Sequence, residues 1–272
     1  MNREWELSTK ALILAQQEYL QAIEARQVVP FPPARRALMI GPHPDDIVLG
    51  CGGTVLKYVA QSVSVSFLCL TDGRACVADA RERERLVLVR AAEERDAARS
   101  CGVGDVEFLG FPEDRFTLPE SAAPILERLV ASLVARAPDA VFVPYFLEVH
   151  PQHRYTNHLL AAALERYGGT ITVYVYEVLS LVPPVFVVDI SRELERKKDI
   201  VRLYRSQLSL RDYVKDLELI GALHAPLAGP GARAAEVFQA FAAGDYVARV
   251  RGLAIAEPET LACGVQPVVP EG

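Results

Sequence analysis

Residues 41–54 read Gly-Pro-His-Pro-Asp-Asp-Ile-Val-Leu-Gly-Cys-Gly-Gly-Thr, and the later stretch His150-Pro-Gln-His153 brings two further imidazoles. The first segment places one imidazole and two adjacent carboxylates at the mouth of a short apolar run, where open α/β sheets bind ligands. The second follows another apolar run, Ala140 to Val143, so both clusters are expected just past strand ends. His43 and Asp46 are three residues apart and can face one ion as the chain turns from strand into helix. With His153 they make a His-His-Asp set, which suits zinc and leaves a position for water. Such a site favours deprotonation of that water and polarises a carbonyl. Asp45 points elsewhere, as a general base toward the water. His150 either hydrogen-bonds a developing oxyanion or hands a proton to a leaving amine, and spacing leaves both roles open.

Each cluster has a plainer reading. His-Pro-Asp-Asp resembles a turn with an Asx cap, and a single His-x-x-His is often a surface or core pair. Their joint placement after two apolar strands favours the metal site. Gly50-Cys-Gly-Gly53 lacks the Gly-x-Gly-x-x-Gly spacing of a dinucleotide loop, which weakens a nucleotide-dependent transferase as a rival. His158 and His224 read as structural or solvent-facing, the latter in a late loop.

The elements that must position these groups alternate. A helix with an apolar stripe spans roughly Ser8 to Arg26 and is ended by Pro30, Pro32 and Pro33. Strands are expected at Ala37–Ile40, Val63–Leu70, Val106–Leu109 and Ala140–Val143. Helices are expected from Val48 to Ala60, from Asp79 to Ser100 with Gly102 closing it, and along the stripe Ile125 to Val134. Thr170–Ile190 reads as two strands joined by a turn, because Glu177 and Pro183-Pro184 interrupt an otherwise apolar stretch. A helix from Ser191 to Gln207 follows, and the remainder reads as helical and then loops. The alternation predicts an α/β fold with a mostly parallel sheet covered on both faces.

Hydrophobic residues at 51% and charged residues at 24% suit one domain over 1–272, with an N-terminal helical extension (1–34) and a flexible tail (257–272). Twenty-nine basic against 35 acidic residues give a formal charge of -6 without a dense basic cluster, which argues against nucleic acid as a partner. Five cysteines without Cys-x-x-Cys spacing argue for reduced thiols and a cytoplasmic location. No stretch reads as a secretory signal or a membrane span. The pattern leaves the oligomeric state open.

His43-Pro-Asp-Asp46 with the trailing Gly-Cys-Gly-Gly-Thr54, together with His150-Pro-x-His153, resembles the PIG-L or LmbE-like family of zinc-dependent deacetylases. Weaker echoes are Thr71-Asp-Gly73, Arg90-x-x-Glu93 and Tyr204-x-Ser-Gln207. The resemblance implies a Rossmann-like three-layer fold and hydrolysis of the N-acetyl group of an N-acetylglucosaminyl compound, a small molecule or a glycopeptide. It implies Zn2+ held by His43, Asp46 and His153, Asp45 as base, and His150 facing the oxyanion. It further implies a substrate-binding arginine at Arg90 and a sugar-hydroxyl acceptor near Asp114. On pattern alone Arg90 equally suits an exposed helix arginine paired with Glu93 or Glu94.

Three positions depart from the family pattern. Ile47 stands where a glutamate is usual, Gln152 where an aspartate is usual, and Glu148 where a shorter carboxylate is common. The neutral Gln152 is expected to orient His150 less firmly, with Glu148 compensating. The extension and departures look most like deacetylases of teicoplanin-type pseudoaglycones. Other N-acetylglucosaminyl conjugates, or a sugar-binding relative without turnover, are the alternatives.

Overall fold

The computed structural model describes residues 16–253 apart from 76 and 78. The end of the predicted first helix is present as α1, residues 16–25. Its beginning and the tail after Glu257 lie outside the described residues.

Among the described residues, eight strands form one sheet: β1 (Gln27–Val28), β2 (Arg36–Gly41), β3 (Ser64–Thr71), β4 (Asp105–Phe111), β5 (Ala140–Pro144), β6 (Thr172–Tyr176), β7 (Phe186–Asp189) and β8 (Ala235–Ala242). Their order is β1-β7-β8-β6-β5-β2-β3-β4, and of these strands only β8 runs antiparallel to its neighbours. The intervening helices are α2 (Asp46–Ala60), α3 (Ala80–Cys101), α4 (Pro119–Arg136), α5 (Pro151–Tyr167), α6 (Leu194–Val201), α7 (Arg205–Leu208), α8 (Tyr213–Ala228) and α9 (Ala243–Arg251). The mostly parallel α/β architecture expected from the alternation is therefore the one observed.

The strands read as unbroken apolar runs because both faces are covered. Leu38 and Ile40 of β2 join Leu68, Val141 and Val173 in one core, under α4, α5 and α9. Ala37 and Met39 join Phe67, Phe142 and Tyr174 in the other, under α2, α3, α6 and α8. The chain leaves β2 for β3 and β4 on one side, then crosses to β5 on the other. That reversal opens a crevice at the carboxyl ends of β2 and β5, where the two histidine loops emerge.

The two strands expected within Thr170–Ile190 form as β6 and β7, with β8 inserted between them in the sheet. One expectation needs correction. The predicted helix Ser191–Gln207 is two helices with a break at Arg202–Tyr204. Tyr204 is anchored there by donating its hydroxyl proton to the buried Glu94 at 2.7 Å.

Helix α2 carries a break of its own. Cys51 leaves helical geometry at φ -136°, ψ 21°. The glycines around it allow the helix to sit against the sheet: a Cβ on Gly50 would lie 2.2 Å from the Tyr176 ring, and one on Gly53 would lie 2.6 Å from Ile190. The break frees backbone groups that need partners. Glu236 of β8 accepts from the Gly53 and Thr54 N–H groups at 2.7 Å and from the Thr54 hydroxyl at 2.6 Å. Lys197 of α6 donates to the Leu49 carbonyl at 2.7 Å and pairs with Glu236 at 2.8 Å. A buried ion pair thus splices the two halves of the helix that begins at Asp46.

Candidate metal centre

His43 lies in the loop after β2, with Asp46 opening α2, while His150 caps α5 and His153 lies in its first turn. The first loop is tied down by Thr71, whose N–H and hydroxyl both donate to the Pro42 carbonyl, at 2.9 and 2.8 Å. Asn157 fixes the second, donating to the carbonyls of Pro144 and His153 at 3.0 and 2.7 Å.

The three expected ligands converge. His43 Nδ1 is 3.1 Å from Asp46 Oδ2, His153 Nε2 is 3.3 Å from Asp46 Oδ1, and the two imidazole nitrogens are 3.3 Å apart. Ligands about 2.0–2.2 Å from a tetrahedral ion stand roughly 3.3–3.5 Å from one another. His150 joins the group: ligand atoms of His43, His150 and His153 all lie within 4.8 Å of one another.

Charge agrees with that geometry. Asp45, Asp46 and Glu113 are buried beside a single buried guanidinium, Arg90. With neutral imidazoles the cluster carries two negative charges, which a divalent cation balances. Without one, the imidazoles take that part. Burial alone would raise the Asp46 pKa, but His153 and His43 hold it well below the usual carboxylate range. Burial alone would lower that of His43, and the Asp46 and Glu113 carboxylates push it well above the ordinary value.

Asp45 lines the same cleft. Its backbone sits at φ 130°, ψ -33°, a strained conformation for a side-chain-bearing residue. Arg90 holds the loop in place, donating to the Pro44 carbonyl at 2.9 Å, to the Gly73 carbonyl at 3.0 Å and to Asp45 Oδ1 at 3.3 Å. Burial raises the Asp45 pKa to about 7; Arg90 opposes the rise and Asp46 reinforces it. His150 is pushed the other way, down to about 3, by burial and then by its neighbours His43 and His153. Its ring Nδ1 has no hydrogen-bond partner among the described residues.

Other expected residues fare differently. Arg90 is buried against Asp45, so the exposed pairing with Glu93 or Glu94 does not occur. Glu93 instead binds the N–H and hydroxyl of Ser206, at 2.9 and 2.6 Å. Asp114 does not line the cleft; its carboxylate is 40% exposed and pairs with Arg83 at 3.4 Å. Its neighbour Glu113 lines the cleft in its place, 3.4 Å from His43 Nε2, and the sequence pattern did not single it out. Gln152 contacts His43 Nε2 closely and does not orient His150. Glu148 does not compensate either: its Oε1 accepts from the N–H groups of Val178, Leu179 and Ser180 at 2.8, 2.8 and 3.1 Å, anchoring the loop after β6. Ile47 is fully buried in the core. His224 lies within α8, not a loop, buried against Glu177 at 2.7 Å. Cys51, Cys69 and Cys101 are free and buried.

The cleft above these groups holds about 490 Å³ of open space, bounded by Leu49, Val178, Leu179, Gln207 and Tyr213 beside the charged cluster. The family described as PIG-L, GlcNAc-PI de-N-acetylase, matches residues 38–164, the segment that contributes every one of those charged groups. Over that segment the chain is similar to this family. A diacetylchitobiose deacetylase of Thermococcus kodakarensis is 29% identical over 199 residues, covering 65% of this chain and 72% of that protein. The solved N,N'-diacetylchitobiose deacetylase of Pyrococcus horikoshii shares 28% identity with a TM-score of 0.68, covering 80% of this chain and 87% of that one. The A40926 pseudoaglycone deacetylase Dbv21 shares the fold at 22% identity and a TM-score of 0.62, over 75% of this chain and 96% of that one. Among the described residues no helix is long and apolar enough to cross a membrane.

Proposed function

We propose that this chain is a metal-dependent amidohydrolase that removes the N-acetyl group from an N-acetylglucosaminyl substrate, with Zn2+ as the metal. The observation that carries the reading is the triangle of His43 Nδ1, Asp46 and His153 Nε2, with a second, unligated carboxylate held beside it by Arg90. A divalent metal in that triangle supplies Lewis acidity, polarising the amide carbonyl and making water acidic enough to lose a proton near neutral pH.

Asp45 takes up that proton as the water attacks. A carboxylate with a pKa raised to about 7 matches this task, since it both accepts and returns a proton near neutrality. His150 is neutral under the same conditions, so it offers an N–H to the oxyanion, and Asp45 carries the proton to the departing amine. Arg90 acts through Asp45: its three-way grip sets the carboxylate's position and restrains its pKa.

The substrate class rests on the family description and on the N-acetyl-removing relatives. A glycopeptide pseudoaglycone is one such conjugate. The higher identity to the chitobiose enzymes makes a simple N-acetylglucosaminide the first compound to test. The experiment is acetate release from a panel of both, with zinc content measured on the same samples. Asp45→Asn should retain zinc and lose about 10²–10⁴-fold in kcat. Full activity in that variant overturns the base assignment, and wild-type protein that binds no divalent cation overturns the whole reading.

A further inference from the structure

His43 has two faces. Nδ1 looks into the triangle, whereas Nε2 is met by two acceptors at once, Gln152 Oε1 in close contact and Glu113 Oε1 at 3.4 Å. The orientation of Gln152 is set independently, because its amide N–H donates to the Glu113 backbone carbonyl at 2.7 Å and so turns the oxygen toward the ring. Glu113 is itself fixed from another segment. Its Oε2 accepts from the Ala75 N–H at 2.8 Å, and its own N–H donates to Asp72 Oδ1 at 3.2 Å. Asp72 is in turn paired with Arg74 at 2.5 Å. The carboxylate is buried and clamped between the loop after β3 and the turn after β4.

A neutral imidazole carries one N–H. Two acceptors at Nε2 place it there and leave the Nδ1 lone pair facing Asp46 and His153. We infer that Glu113 is a positioning residue for the metal centre: with Gln152 it fixes the His43 tautomer, and its negative charge strengthens Nδ1 as a ligand. This rests on the metal-dependent reading above.

The test is zinc affinity of the full chain, read by competition with a chromophoric chelator, alongside thermal unfolding of the metal-free protein. Glu113→Gln should weaken zinc binding about 10–100-fold, and the unfolding of the metal-free protein, which also loses the contact with His43, shows whether the variant is folded. Adding Gln152→Glu to that variant returns a carboxylate to the same ring nitrogen from the opposite side and should restore most of the affinity. A merely structural defect at position 113 would not be repaired from position 152. Glu113→Asp, which keeps the charge but withdraws it by one methylene, carries the same comparison if the glutamine variant fails to fold. Unchanged zinc affinity in the variant overturns the inference, as does a loss that Gln152→Glu leaves uncorrected. A change confined to KM, with zinc affinity intact, assigns Glu113 to substrate and likewise overturns it. Wild-type protein without metal affinity brings down the functional reading itself.

Discussion

At the scale of single residues, the contact that most constrains the chemistry is Arg90 on Asp45. A guanidinium reaches the Pro44 carbonyl, the Gly73 carbonyl and Asp45 Oδ1 together because its planar fork projects several donors at once. A lysine ammonium at the same place cannot serve all three. Arg90→Lys should therefore loosen the strained Asp45 backbone and lower kcat at least about tenfold. The pH dependence carries a definite sign. Arg90 lowers the Asp45 pKa, so replacing it by a neutral residue lets that pKa rise above about 7. A proposed base of this kind works deprotonated, so the acid limb of kcat against pH should move to higher pH in Arg90→Met. An unmoved limb would mean that the limb belongs to another group. His43, Asp45, Asp46, His150 and His153, which the structure brings into one cleft, could be picked out together because they lie in two short motifs. The sequence did not disclose Glu113, whose contact with His43 joins the turn after β4 to the loop after β2. Nothing in the spacing of Glu113 and Asp114 tells which of two adjacent carboxylates turns inward.

Among the elements, those whose pattern matches their burial were legible: β2, β3 and β5 are apolar on both faces, and α3 begins at Asp79 and ends at Gly102 as its caps dictate. Strand β8 was not. Ala-Glu-Val-Phe-Gln-Ala-Phe-Ala is rich in helix formers and shows no clean alternation, and its Glu236 faces the interior for a reason that lies on α2 and α6. The splice it makes with Lys197 predicts an ordered pair of stability losses. Glu236→Ala removes the acceptor of three hydrogen bonds from α2 and strands a buried ammonium, a change that costs about 3–5 kcal/mol in such settings. Lys197→Met leaves Glu236 with those three donors, and the carboxylate still faces the N-terminus of the second half of α2. It should cost less. Denaturant unfolding of both variants checks the order, and equal or reversed losses would show that the carboxylate does not hold the broken helix together.

For the molecule as a whole, the site sets how stability responds to pH. Glu94 of α3 is fully buried and hydrogen-bonded to Tyr204, and burial raises its pKa to about 7, with the Tyr204 hydrogen bond opposing the rise and the Asp45 and Asp46 carboxylates adding to it. The folded protein therefore holds a proton that the unfolded chain, with an ordinary glutamate pKa near 4.5, has already released. A raised folded pKa contributes stability that is complete below pH 4.5 and is lost as pH climbs through about 7. Each tenfold difference in proton affinity between the folded and unfolded chain is worth about 1.4 kcal/mol, so the part of the loss attributable to Glu94 that falls between pH 5 and pH 8 is on the order of 2–3 kcal/mol. Glu94→Gln keeps the shape and can still accept from Tyr204, but it has no proton to lose. In metal-free protein the stability of this variant relative to wild type should rise by that amount between pH 5 and pH 8. For a domain of this size that is roughly 5–10 °C in unfolding temperature. If the two proteins instead keep a constant difference across the range, Glu94 is ionised in the fold, and the buried cluster holds one more negative charge than the cation and Arg90 balance.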